Sequence, residues 1–515
     1  ARVPTGDNDR GGFRATPRSM SESTRDLDTD GTGGAAEVTE TADGQAPAEG
    51  AGPAQLTFVT LTAMVIGSMV GAGVFSLPRR FATETGVYGA LIAWVIAGAG
   101  MLMLAFVFQT LAVRKPHLDA GVYAYAKAGF GEYLGFFSAF GYWASACVGN
   151  VTYWVLIMST LGGIFTWLGE GDTVPAVALS SVAIWIFAAL VLRGVREATA
   201  INKIVTVAKM IPILVFIVLA IAYLDVDVLV DNLSGEGAGS LFSQVRGTML
   251  ATVFVFLGIE GASVYSRYAK KREDVGRATV LGFVTVLAIF ASVTIVSYGI
   301  LPREQIAELR QPSMAGVLEA AVGPWGEVFI SIGLIVSVLG AYLAWTLMSA
   351  EVLFVAARDK DMPGFLGRTN AADSPAAALL LTTALIQVVL LVVLVSDNAF
   401  DFMLNMTSAL SLIPYLLAAG FALKIARRER EEAGRSELLV AGLATLYTVF
   451  LLYAAGAKYL LVAFIVYAPG TILFVMARRE QGRQLFSRPE LVILAVSIVG
   501  AVAGVVALAT GAITI

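Results

Sequence analysis

From Leu56 onward the chain alternates long apolar runs with short charged connectors. A helix needs about 20 mostly apolar residues to cross about 30 Å of hydrocarbon. That measure predicts thirteen spans, at about 56–78, 86–112, 133–165, 174–192, 203–223, 247–266, 278–300, 325–350, 375–395, 400–423, 436–456, 459–477 and 489–513. Only Ala457 and Lys458 separate the eleventh from the twelfth. Residues 1–54 are a different material, made of Gly, Ser, Thr, Asp, Glu, Ala and Pro with almost no large apolar side chains. Such a segment is expected to be a disordered acidic tail. It carries no apolar core of the kind a cleavable signal peptide needs. Met20 opens a candidate start, MSESTRD.

Composition agrees with the pattern. Hydrophobic residues make up 57% and charged residues 14%, with a mean hydropathy of +0.77. A soluble domain carries about 25% charged residues. A soluble globular protein and a disordered chain are both excluded, and an all-α polytopic membrane protein is expected. One cysteine, Cys147, allows no intramolecular disulfide, and one histidine, His117, argues against a His/Cys metal site or a histidine-based triad. No metal and no cofactor are expected. The net charge of −4 gives no encouragement to a nucleic-acid partner. No nucleophile–base pair stands out, so an enzyme is not expected.

Lysine and arginine set the orientation. With the N-terminus inside, the cytoplasmic connections hold 23 Lys and Arg and the outer ones 6. The N-terminus is therefore expected in the cytoplasm and, for an odd number of spans, the C-terminus outside, in the plasma membrane.

Two spans are interrupted. The first contains Gly67-Ser68-Met69-Val70-Gly71-Ala72-Gly73-Val74 and the sixth Gly258-Ile259-Glu260-Gly261. Freed backbone groups at membrane depth are tolerated where they line a cavity or meet a ligand. Interrupted helices five spans apart are the pattern of an inverted-repeat transporter with its site at the breaks. The other reading of the glycines is a small-residue packing motif. Glu260 is the only acidic residue deep within a span. A carboxylate there is costly and points to function. Lys209, in span five, could act as a bound cation between helices, change protonation, or reach the interface along its own stem.

The run GSMVGAGVFSLP (67–78) resembles the first helix of the amino acid–polyamine–organocation superfamily. GVYAYAKAGFGEYLGF (121–136), YWASACVGN (142–150), FLGIEGASV (256–264), LAWTLMSAEVLF (343–354) and SLIPYLLAAG (411–420) follow in that family's order. The likeness covers about 55–478 and is nearest to the basic amino acid/polyamine antiporters. YLAWTLMSAEV with ARDKDMPGFLGR is most like the arginine/ornithine antiporters. The resemblance implies a LeuT-like 5+5 inverted-repeat fold with helices 1 and 6 broken. Repeat one would cover about 55–224 and repeat two about 245–425. Two further spans would complete the core at 478, and 479–515 would add a last helix.

The resemblance also implies a site. Ser68, Met69, Gly71, Ala72 and Gly73 match the substrate-holding break, with Ser68 in place of an asparagine and Ala72 in place of a serine. Ser145, Ala146, Asn150 and Tyr153 match pocket positions, and Tyr142 a gate tyrosine. Phe254 falls where the arginine/agmatine antiporters place a tryptophan. Leu257 matches an apolar contact, Glu260 the gate carboxylate and Trp345 the tryptophan under the substrate. Thr407 matches a polar contact and Tyr415 another gate tyrosine. Lys209 resembles a lysine of other superfamily members, where proton coupling has been proposed. The implied activity is exchange of cationic amino acids, arginine for ornithine, by a chain that the resembling antiporters suggest is a homodimer. Two readings compete with it: a proton-coupled permease for lysine or other basic amino acids, and a non-transporting membrane amino-acid sensor.

Overall fold

The computed structural model describes residues 57–115, 118, 122–193, 198–260, 272–371, 374–429 and 434–515, with backbone alone for 198–207 and 272–274. The acidic segment 1–54 and Gly261 lie outside the described residues.

Every regular element described is helical. The first is α1 (Phe58–Met69), capped by the Thr57 hydroxyl, which accepts from the Thr60 amide at 3.4 Å. The backbone then leaves helical geometry at Val70 (ψ 102°) and Gly71. It re-enters as a 3₁₀ turn over Ala72–Ser76 and continues as α2 (Leu77–Glu84). The two halves meet at 51°. Next come α3 (Val87–Arg114), α4 (Val122–Phe130), α5 (Glu132–Gly162), α6 (Val174–Leu192), α7 (Ala198–Ala222), α8 (Val226–Asp231) and α9 (Leu241–Phe256). After α9 the chain turns at Leu257 (ψ 135°) and Gly258, whose φ of 103° a side chain would strain. The later helices are α10 (Arg272–Ser297), α11 (Arg303–Glu308), α12 (Ser313–Val322), α13 (Pro324–Arg358), α14 (Ala376–Val392), α15 (Ala399–Arg428), α16 (Arg435–Glu480) and α17 (Arg488–Ala509).

Among the described residues nine helices are long and apolar enough to cross a membrane, or ten if the bent pair α1 and α2 is one span. Thirteen runs were expected, and length accounts for part of the difference. Leu241–Phe256 is apolar but only 16 residues long, and in the 25-residue α7 the part with described side chains, Ala208–Ala222, is apolar as well. The runs 436–456 and 459–477 are two helices, together labelled α16, that meet at a kink at Gly456 (φ 70°, ψ 175°), directly before Ala457–Lys458.

Burial sorts the helices. The apolar window of α5 is 94% buried and that of α17 only 11%. Their mean hydropathies run the opposite way, 1.3 against 2.8. A helix facing hydrocarbon can be apolar all round, whereas a central helix can carry polar groups because neighbouring chains satisfy them. α5 packs against α15, α13 and α4, which makes it the axis around which the interior polar groups collect.

Candidate functional site

Two backbone breaks touch. A Cβ placed on Gly258 would lie 2.3 Å from the Ser68 carbonyl oxygen, so only glycine lets α9's end approach the end of α1. Next to this crossing, a Cβ on Gly73 would lie 2.8 Å from Phe254 Cδ1. Phe254 therefore closes over the start of the 3₁₀ turn. Met69, Ala72 and Gly73 are buried, and so is Leu257. Ser68 and Gly71 are half-buried. The Ser68 hydroxyl is turned back on its own helix and donates to the Val65 carbonyl at 2.9 Å.

α5 brings its polar face to the same place. A Cβ on Gly71 would sit 3.7 Å from the Tyr153 hydroxyl. The Tyr153 ring meets Trp345 edge to face, with centroids 5.9 Å apart at 74°. Trp345 and Thr407 both press on Gly149, where a Cβ would lie 3.3 Å from Trp345 Cζ3 and from Thr407 Cγ2. The Ser145 hydroxyl donates to the Thr407 carbonyl at 2.7 Å. Asn150 Nδ2 donates to Thr346 Oγ1 at 3.3 Å, and Asn150 Oδ1 is buried with no hydrogen-bond partner among the described residues. Ala146 is buried one turn before Asn150 on α5.

Glu260 sits at one end of this cluster. Its Oε1 accepts from the Tyr142 hydroxyl at 2.5 Å and its Oε2 from the Tyr415 hydroxyl at 2.7 Å. Oε2 also accepts from the Gly258 amide at 3.2 Å. One carboxylate thus joins α5, α15 and the turn after α9. Hydrogen bonds to a charged group contribute about 1.5–3 kcal/mol each. Glu260→Ala is therefore expected to lower the melting temperature in detergent and reduce any flux at least tenfold. Glu260→Gln, which keeps the shape and one acceptor but loses the charge, should fall between the wild type and Glu260→Ala, and wild-type melting and flux in Glu260→Ala would remove the carboxylate from the gate.

Lys209 lies beside the other end of the breaks. Its Nζ donates to the Gly67 carbonyl at 2.6 Å, immediately before the residues where α1 ends. The side chain is buried, and its stem does not carry the ammonium out to an interface.

All the expected site residues fall around the two breaks or on the helices that face them. Sequence reasoning passed over Gly149, Gly67 and Met348. Gly149 makes room for Trp345 and Thr407, and Gly67 supplies the carbonyl that Lys209 takes. Met348 Sδ lies 3.7 Å from the Tyr142 hydroxyl. Gly149 and Gly67 stand inside motifs already singled out. Met348 stands inside LAWTLMSAEVLF as well, but its residue type gave no reason to single it out, because a methionine in an apolar helix resembles any other core residue.

Comparison with known proteins follows the same outline. The amino acid permease family model matches residues 56–477. The arginine/ornithine antiporter of Pseudomonas aeruginosa is 47% identical over 475 residues, covering 90% of this chain and 98% of that protein. The L-lysine transport protein of Corynebacterium glutamicum is 41% identical over 88% of this chain and 95% of its own length. The arginine/agmatine antiporter of Chlamydia felis is 37% identical over 84% of this chain and 92% of its own.

Proposed function

The chain belongs to the amino acid permease family, and we propose that within it this multi-pass membrane protein exchanges cationic amino acids, arginine for ornithine, across the plasma membrane by alternating access. The observation that carries the reading is the crossing of the two backbone breaks at Ser68 and Gly258 under an aromatic wall of Phe254, Tyr153 and Trp345. The names of relatives on both sides of the comparison, arginine/ornithine antiporter and L-lysine transport protein, support a cationic amino acid as cargo.

The chemistry is that of one amino acid held at both ends. Backbone amides of Ala72 and Gly73 open the helical run toward α2, and a helix N-terminus stabilises a carboxylate. Carbonyls near Ser68–Met69 and Leu257–Gly258 accept the ammonium hydrogens. The leftover acceptor on Asn150 suits a guanidinium or ammonium N–H. The cationic side chain lies against Trp345 and Phe254, with Ser145, Ala146 and Thr407 beneath it. Tyr142, Glu260 and Tyr415 form the gate, since their hydrogen bonds tie α5, α15 and the turn after α9 together. Each substrate carries one positive charge, so the exchange is electroneutral.

The architecture proposed is the LeuT-like fold with thirteen spans, the N-terminus in the cytoplasm and the C-terminus outside. The bent pair α1 and α2, the 25-residue α7, the shorter apolar helix Leu241–Phe256, and the division of α16 at Gly456 support that number. The tail 1–54, the core 55–478 and the last helix within 479–515 are its parts, and a homodimer its assembly.

Liposomes test the function. Labelled arginine should enter vesicles loaded with ornithine, stay out of empty ones, and ignore a pH gradient or membrane potential. Uptake into empty vesicles that follows the proton gradient would favour a second reading, coupled transport. The buried Lys209 ammonium at the end of α1 is what recommends that reading. In an obligate exchanger, Lys209→Ala should keep exchange measurable, slowed by loss of its bond to Gly67. Abolished exchange in a protein that still melts cooperatively would make Lys209 the coupling group. Binding of arginine with no flux in either vesicle set would instead identify a sensor.

A further inference from the structure

An open groove of about 950 Å³ lies far from the breaks, between α1, α3, α10 and α16. Its volume is on the scale of organic ligand sites, about 300–1,000 Å³. Its lining changes character along the helix axes. At one end stand Arg114, at the end of α3, Arg277, near the start of α10, and Ser436, in the first turn of α16. Further into the bundle Phe106 and Val284 take over, while Phe58, the first residue of α1, lines the groove nearer its polar end. Leu281, Val284 and Val113 are exposed, so the apolar part opens sideways rather than into the protein core.

Charge at the polar end is unbalanced. Arg114 is engaged by Glu437 at 3.0 Å and by Glu429 at 3.4 Å. Arg277 is exposed and makes no ion pair with another described side chain. The first turn of α16 has Gly434 as its cap and no side chain satisfying its amides. An exposed guanidinium with no ion pair among the described residues, beside a first helical turn without a side-chain cap and above an apolar trough open to the bilayer, matches a phosphate joined to acyl chains. Basic pockets between spans on the cytoplasmic side are known lodging points for anionic headgroups.

We infer that this groove is a binding site for an anionic phospholipid of the cytoplasmic leaflet, with Arg277 reading the phosphate and the Phe106–Val284 trough holding an acyl chain. The assignment to that leaflet rests on the lysine and arginine asymmetry used above. Because Phe58 begins α1, the lipid touches the first half of the bent pair, and it couples membrane composition to the position of that helix.

The test uses the purified full-length chain in detergent with added phosphatidylglycerol or phosphatidylcholine, reading retained lipid by native mass spectrometry. The wild type should retain phosphatidylglycerol at least fivefold over phosphatidylcholine. Arg277→Gln should remove that preference, and Val284→Trp, which fills the trough, should reduce retention of both lipids at least threefold. Both variants should still melt cooperatively. Equal retention of the two lipids by the wild type, or undiminished phosphatidylglycerol in Arg277→Gln, would overturn the proposal. So would full displacement by soluble glycerol phosphate, which would make this a site for small anions. Retention is read without any flux, so its failure leaves the exchange reading standing, and failure of exchange leaves this one standing.

Discussion

Replacing Trp345 by alanine is expected to lower the affinity for arginine about 100-fold. The indole is half-buried, edge-on to Tyr153 and in contact distance of Gly149, beside the Ser145–Thr407 hydrogen bond. A desolvated cation over a tryptophan face gains about 2 kcal/mol. Removing the ring also strips about 40 Å² of apolar contact with the cargo, about 1 kcal/mol at about 25 cal/mol per Å². Together the two effects come to about 3 kcal/mol, and each 1.4 kcal/mol is tenfold in affinity. Trp345→Phe keeps the ring area and loses the stronger quadrupole, so a loss of about tenfold is expected there. Isothermal titration of arginine into the purified variants measures both. Unchanged binding in Trp345→Ala would remove this tryptophan from the site, and a variant that no longer melts cooperatively would be replaced by the Phe variant as the deciding measurement.

The second large effect is expected at Gly258. Its φ of 103° lies where side chains are strained, and an added Cβ would stand 2.3 Å from the Ser68 carbonyl oxygen. Neither side of that contact can yield cheaply, because both are backbone. The strained conformation alone costs about 1–2 kcal/mol. Gly258→Ala should therefore abolish exchange and drop the melting temperature well beyond what that strain predicts. Gly131→Ala is the matched control. Its φ is 98°, and nothing lies within 4 Å of the added Cβ, so the strain is present without the collision. Similar losses at the two positions would mean that the crossing of the breaks has no special role.

Exchange and binding respond to these changes for different reasons. Trp345 touches the proposed cargo, and the change should appear in affinity first. Gly258 holds two backbone segments in place, and the change should appear in both stability and flux. The Glu260 variants fall between them, because that carboxylate joins three elements through Tyr142, Tyr415 and the Gly258 amide.

Much of this protein was legible in the order of its residues. Apolar runs of membrane length show in hydropathy alone, because lipid demands an unbroken stretch of apolar side chains whatever the neighbours do. The glycines of 67–73 announce a weak helix locally, and the chain does leave helical geometry at Val70 and Gly71. Glu260 stands out because a carboxylate within an apolar run has a cost that burial must offset. What the order of residues left open is which groups meet. Tyr142 and Tyr415 are separated by 273 positions and reach one carboxylate, and Gly258 meets Ser68 across 190 positions. Such meetings depend on how helices pack, and packing is a property of whole surfaces rather than of local spacing. The same reason hid the ranking of the helices. α17 is the more hydropathic and lies at the edge, while α5 is less so and lies at the centre, because lipid rewards apolar side chains and only protein neighbours can satisfy polar ones.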